Sequence, residues 1–147
     1  MTGMRYRLVG TLQVELPPDQ AFRLFTPGGE RDWVDGWDPF FPDPSADDTE
    51  PGTVFRTDAQ GIPVTWVVLD RRPADRMSYA RVEHGVHAGT VTVTLQPDPD
   101  SRTRTTVTVA YDLTALDESA KDGLHQFAQN YPAFLDAWHE AITTHLT

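Results

Sequence analysis

The chain has 147 residues, with 12 Lys and Arg against 22 Asp and Glu and no cysteine. A single domain of this size buries roughly 70% of its unfolded surface without staples, and the missing thiols exclude disulfides, thiol catalysis and zinc–thiolate centres. A formal net charge of −10 with no basic stripe disfavours nucleic acid and anionic membrane as partners.

No window reaches the apolar length of a membrane span, and residues 1–12 alternate Arg and Gly with apolar residues instead of forming a secretory leader. A soluble, cytoplasmic protein is therefore expected. Tyr6, Leu8, Gly10, Leu12, Val14 and Leu16 alternate with Arg7, Thr11, Gln13 and Glu15. This period of two predicts a first strand with one buried face. Pro17-Pro18-Asp19 ends it and opens a short helix carrying Ala21, Phe22, Leu24 and Phe25. Thr26-Pro27-Gly28-Gly29 breaks that helix, and residues 30–34 allow one more turn. Residues 35–52 read as loop, with five aspartates and four prolines. That loop also holds Trp37, Phe40 and Phe41, so part of it is expected to pack over something.

Strand signals follow over residues 53–58, 62–70, 76–83, 88–96 and 103–112. The second of these is apolar on both faces. In 88–96, Val91, Val93 and Leu95 alternate with Thr90, Thr92 and Thr94; in 103–112, Val107, Val109 and Tyr111 alternate with Thr106 and Thr108. The intervening turns, such as Gln60-Gly61, His84-Gly85 and Pro97-Asp98-Pro99-Asp100, are too short for crossover helices. The sheet is therefore antiparallel. Last comes a long helix. Leu124, Phe127, Ala128, Tyr131, Leu135, Trp138 and Ile142 recur at steps of three and four, giving one broad aromatic face that must lie on the sheet. Thr114 with Asp117 fits a capping box, with Asp117 itself as an alternative cap. Pro132 predicts a kink near Asn130 and Tyr131.

The most specific segments are Leu24-Phe25-Thr26-Pro27 followed by Glu30-Arg31-Asp32-Trp33, then Gly36-Trp37-Asp38-Pro39, Pro51-Gly52-Thr53-Val54-Phe55 and Tyr111-Asp112-Leu113-Thr114-Ala115-Leu116. With this order of elements the chain resembles the START-like superfamily, also called SRPBCC. That superfamily includes the birch-pollen-allergen group, the polyketide cyclases and dehydrases, and the activators of the heat-shock ATPase. The likeness covers nearly all of residues 1–147 as one domain and is greatest to a bacterial branch that carries no single assigned activity. The resemblance implies an α+β helix-grip fold: a curved antiparallel sheet of about six to seven strands wrapped around the long carboxy-terminal helix, two short helices after the first strand, and a cavity for an apolar guest. The superfamily shares no catalytic motif, so no residue here inherits a catalytic role.

Candidate ligand-binding residues are the aromatics Trp33, Trp37, Phe40, Phe41, Phe55, Trp66, Tyr79, Phe127, Tyr131 and Trp138, with Arg81 and His87 as polar partners. Any one of these rings is ordinary core. Together they can wall a cavity, with Trp37, Phe40 and Phe41 as a lid over one mouth. Arg56 and Arg81 face either solvent or the interior, and either Tyr79 and Arg81 or Ala80 and Val82 point inward from residues 76–83. His139-Glu140 is not the zinc-protease pattern, because Thr143 stands where a second histidine is needed. His84 and His87 flank the Gly85 turn and read as surface residues, not as a metal site. No metal or cofactor is implied. Three functions fit: binding of a small hydrophobic or aromatic molecule by a monomer or homodimer; a polyketide cyclase or dehydratase-like enzyme using Arg81, Tyr79 and His87; or a co-chaperone-like interaction domain.

Overall fold

The computed structural model describes residues 3–44 and 46–147; Met1, Thr2 and Ser45 of the acidic loop lie outside them. Alternation becomes sheet as expected. Among the described residues six strands form one antiparallel sheet in the order β1-β6-β5-β4-β3-β2. They are β1 (Arg5–Val14), β2 (Val54–Thr57), β3 (Val64–Arg72), β4 (Arg76–Glu83), β5 (His87–Asp98) and β6 (Ser101–Ala115). Between β1 and β2 come helix α1 (Pro18–Leu24) and a 3₁₀ turn at Gly29–Asp32. Helices α2 (Lys121–Gln129) and α3 (Tyr131–Leu146) close the chain. This is the gripped-helix architecture that the order of elements implied.

One residue per pair along each strand faces inward, where Val68, Met77, Tyr79, Val91, Val93, Leu95, Val107, Val109 and Leu113 are all buried. Thr92, Thr94, Thr106 and Thr108 take the opposite face, as a half-buried sheet requires. The register pairs Val68 with Tyr79 but Asp70 with Ser78, so Leu69 is an extra residue. That bulge explains why residues 62–70 read as apolar on both faces: Leu69 is 46% exposed.

The kink falls where Pro132 places it. Pro132 has no amide hydrogen, and the chain breaks at Asn130 (φ −97°, ψ 8°) into α2 and α3. The helix start differs from one of the two expected caps. Thr114 belongs to β6, where the amide of the next residue, Ala115, bonds the carbonyl of Met4 (2.9 Å), and sheet pairing wins over capping. Asp117 caps the 3₁₀ turn Glu118–Ala120 that leads into α2, accepting from the Ala120 amide at 3.2 Å.

Two glycines shape how the layers meet. A Cβ at Gly10 of β1 would stand 2.5 Å from Leu135 Cδ1 and 3.4 Å from the Tyr131 ring, so α3 rests directly on the strand backbone. A Cβ at Gly89 of β5 would stand 1.9 Å from the Asp112 carbonyl oxygen. β5 and β6 fold sharply over one another there, and only glycine fits.

Candidate functional site

Helix and sheet touch closely along one flank and part along the other. Against β1, Leu135 and Ile142 are buried and the Tyr131 hydroxyl donates to the Val109 carbonyl at 2.7 Å. Farther across the sheet a void of about 300 Å³ lies between α2 and strands β4, β5 and β6. Leu113, Leu124, Phe127 and Phe134 form its apolar wall, and Arg81, Glu83, His87 and Tyr111 bring polar groups to it. A second void, of about 160 Å³, lies beneath Trp138 and the loop carrying Trp37. Arg81, Tyr111 and Phe134 line both. A small third space of about 20 Å³ joins Tyr111, Trp138 and Glu30 to Phe55, Trp66 and Tyr79.

The polar side chains reach this interior by parity. Arg81 follows Met77 and Tyr79 on β4, and it pairs with Trp66 on β3 and Gly89 on β5. The inward face of β4 is thus the one bearing Tyr79 and Arg81. The Arg81 guanidinium lies 5.4 Å from the centre of the Trp66 ring, a cation–π contact, and its Nη1 donates to His87 Nε2. Burial lowers the Arg81 pKa. His87 is buried, contrary to its expected place on the surface. It opens β5 on the same face as Val91 and Val93, and the strand begins one residue earlier than its apolar pattern suggested. Burial first, and then the neighbouring Arg81, depress its pKa to about 4, so the ring is neutral near pH 7. Accepting from Arg81 at Nε2 leaves its proton on Nδ1. Glu83 Oε1 stands 4.0 Å from the same Nε2.

Two further residues line these voids and were not among the candidates. Glu30, in the 3₁₀ turn, lines the second and third voids. Its carboxyl meets no ion-pair or hydrogen-bond partner among the described residues, and burial raises its pKa well above the usual carboxylate range. Tyr111 lines all three voids, and burial raises its pKa. The parity of Tyr111 with Val107 and Val109 pointed inward. Glu30 had no periodicity to read, because one isolated turn shows none.

The remaining candidates are distributed as follows. Phe127 and Trp138 border voids, as do Trp37, Phe55, Trp66 and Tyr79. Several are also pinned. Trp66 Nε1 donates to Thr57 Oγ1 (3.0 Å), Trp37 Nε1 to the Pro27 carbonyl (2.8 Å) and the Tyr79 hydroxyl to the Phe25 carbonyl (2.6 Å). Trp33 is core: its Nε1 donates to the Leu24 carbonyl at 2.7 Å and its ring meets Phe25 and Trp138. Tyr131 packs on β1, outside the void walls. Phe41 packs against Phe55. Phe40 is 55% exposed under the Arg56 guanidinium, which points outward. Of the aromatic trio in the loop, Trp37 alone reaches a void.

Chemically, the inner surface offers one cation, one neutral imidazole, one carboxyl whose burial disfavours its charged form and one untied phenol around an apolar space. It can hold a molecule, orient it and exchange protons with it.

Residues 5–143 match the family described as polyketide cyclase / dehydrase and lipid transport. No curated protein matches the chain in sequence. Among solved structures, the protein MLL2253 from Mesorhizobium loti is similar with a TM-score of 0.68 at 20% identity, over 95% of this chain and 98% of that one. Major latex-like protein 151 from Panax ginseng gives a TM-score of 0.70 at 16% identity, over 98% and 96% of the two chains. The Aha1 dimer from Colwellia psychrerythraea gives 0.62 at 12% identity, over 93% and 96%. At such identities the likeness concerns the fold.

Proposed function

The chain belongs to the polyketide cyclase / dehydrase and lipid transport family, with the helix-grip fold of the START-like superfamily, and on that premise we propose that it binds a small, largely apolar or aromatic molecule between sheet and helix. The observation that carries this reading is the void of about 300 Å³ with Leu113, Leu124, Phe127 and Phe134 on one side and Arg81, His87 and Tyr111 on the other. An apolar enclosure with a few convergent polar groups is the usual build of a small-molecule pocket, and this volume is at its lower end. Removing apolar area from water, at roughly 25 cal/mol per Å², supplies the driving force. Trp37, Phe55, Trp66 and Trp138 border the adjoining spaces and extend the same surface.

Native mass spectrometry of the purified protein tests for a co-purifying molecule, and titration with the uncharged dye N-phenylnaphthylamine tests for a saturable apolar site. Leu113→Trp, which fills the void from the sheet side, should abolish dye binding while the protein still melts cooperatively. No bound molecule and no saturable dye signal would sink the reading.

A second reading, chemistry of the cyclase or dehydratase kind, is favoured by one observation: Arg81 and His87 meet at the wall of the same void. A cation beside a neutral imidazole suits stabilisation of a developing enolate with proton transfer. Tyr79 enters this reading less readily, since its hydroxyl is committed to the Phe25 carbonyl. Loss of turnover of a poly-β-ketone thioester in Arg81→Met and His87→Leu would support it. We place either role in the cytoplasm, in a monomer or homodimer, which size-exclusion chromatography with light scattering would distinguish.

A further inference from the structure

We propose that the bound molecule is an organic anion, its charged oxygens seated on Arg81 and Tyr111 where the two larger voids meet, and its apolar body lying among Leu113, Leu124, Phe127 and Phe134. This rests on the cavity reading above and adds the chemical class of the guest.

Arg81 joins none of the ion pairs among the described residues. A guanidinium carries five N–H donors, and here only Nη1 finds an acceptor, the neutral His87. Its remaining donors are not sealed away. The buried polar atom without a partner among the described residues is Arg76 Nε, so the free edge of Arg81 opens onto the voids it lines. A buried charge without a counter-charge is costly unless something supplies the missing oxygens. The neighbouring phenol is in the same condition, since no hydrogen bond ties the Tyr111 hydroxyl to a described residue. A fork of guanidinium donors beside a phenolic O–H matches a planar oxyanion such as a carboxylate, phenolate or enolate.

Two acids share these voids with Arg81, and neither is in an ion pair with it. Burial raises the pKa of Glu30, in the adjoining void, and so disfavours its charged form. Glu83 lines the same void and acts on Arg81 electrostatically, but forms no close ion pair with it. The molecular surface is strongly acidic, with a net charge of −10, and repels anions in general. An anion that does bind must therefore be drawn by a local feature, and Arg81 is the one cation lining either of the two larger voids.

The test uses two dyes of one skeleton, neutral N-phenylnaphthylamine and its sulfonated form, anilinonaphthalene sulfonate. Decanol and decanoate serve as competitors. In the wild type the sulfonate should bind more tightly than the neutral dye, and decanoate should displace it better than decanol. Arg81→Met should weaken the sulfonate roughly tenfold, the loss expected for one charge-assisted contact, and leave the neutral dye within about twofold. Near-ultraviolet circular dichroism verifies native packing. Should Arg81→Met fail to fold, Tyr111→Phe must lower sulfonate affinity a few-fold and spare the neutral dye. Neutral dye binding as tightly as the sulfonate, or both dyes responding equally to the substitutions, overturns the anion and leaves the cavity. Binding of neither dye overturns the cavity reading and the anion with it.

Discussion

The two flanks of the long helical segment are built from the same kinds of residue and end differently. Along β1, α3 presents Tyr131, Leu135 and Ile142 to a strand that carries glycine at position 10, and the layers close to direct contact. Over β4 to β6, α2 and the middle of α3 present Phe127, Phe134 and Trp138 to strands that carry Arg81 and Tyr111, and the layers stay apart. Two tyrosines state the contrast most simply. The Tyr131 hydroxyl is tied to a backbone carbonyl. The Tyr111 hydroxyl, on a ring 6.0 Å away, faces open space. Small residues facing a helix produce contact; large and charged ones produce a room.

The largest effect expected from breaking this contrast is at the bend under the open flank. Gly89→Ala puts a methyl group 1.9 Å from where the Asp112 carbonyl oxygen now stands, against backbone that has no alternative position. A loss above about 4 kcal/mol, or failure to fold, should appear in denaturant melts. Gly10→Ala presses only on the flexible end of Leu135 and should cost much less. Next comes Leu135→Ala on the closed flank, at about 3 kcal/mol, because a cavity is left where packing is complete. Phe134→Ala, which widens an existing void, should cost less than half of that; equal losses would erase the distinction between the flanks.

Acid comes third. His87 has a folded pKa of about 4 against a usual 6.5. Its neutral form is the one that fits, so its contribution is fully present above pH 6.5 and disappears as pH falls toward 4. The wild type should lose up to about 3 kcal/mol over that window, and His87→Leu should flatten the profile there. Glu30 acts with the opposite sign. A raised carboxyl pKa stabilises at low pH and loses that advantage as pH rises, so Glu30→Gln should melt higher than wild type at neutral pH and match it in acid. The smallest expected effect is the tyrosine pair. Tyr131→Phe forfeits a buried hydrogen bond, at about 1 kcal/mol, whereas Tyr111→Phe leaves the ligand-free protein's stability nearly unchanged.

The sheet, its polarity and the kink at Pro132 were legible because each rests on a local rule: alternation, short turns and a missing amide hydrogen. The inward face of β4 was not legible, because Tyr79, Ala80, Arg81 and Val82 are all compatible with either side. Register with Trp66 and Val91 decides it, and register is a long-range property. His87 looked peripheral because it adjoins a glycine turn, although its parity with Val91, Val93 and Leu95 pointed inward. Glu30 was invisible for another reason. Trp33 and Trp37 are fixed by carbonyls of Leu24 and Pro27, and that anchoring carries the intervening turn inward together with its acid. The aromatics were rightly seen as numerous, but spacing alone does not separate a ring in the core, such as Trp33, from a ring at a void, such as Trp66.

The sheet is an open gutter, since edge strands β1 and β2 never meet. The helical segment, with the loop carrying Trp37, closes over its open side. The shape of the interior space is thereby uncoupled from the folding of the strands: exchanging Phe127, Phe134 or Trp138 for smaller or larger side chains remodels the ceiling while every ladder of the floor stays intact. A lineage could reshape that space by drift along the two closing helices, and a protein engineer could follow the same route.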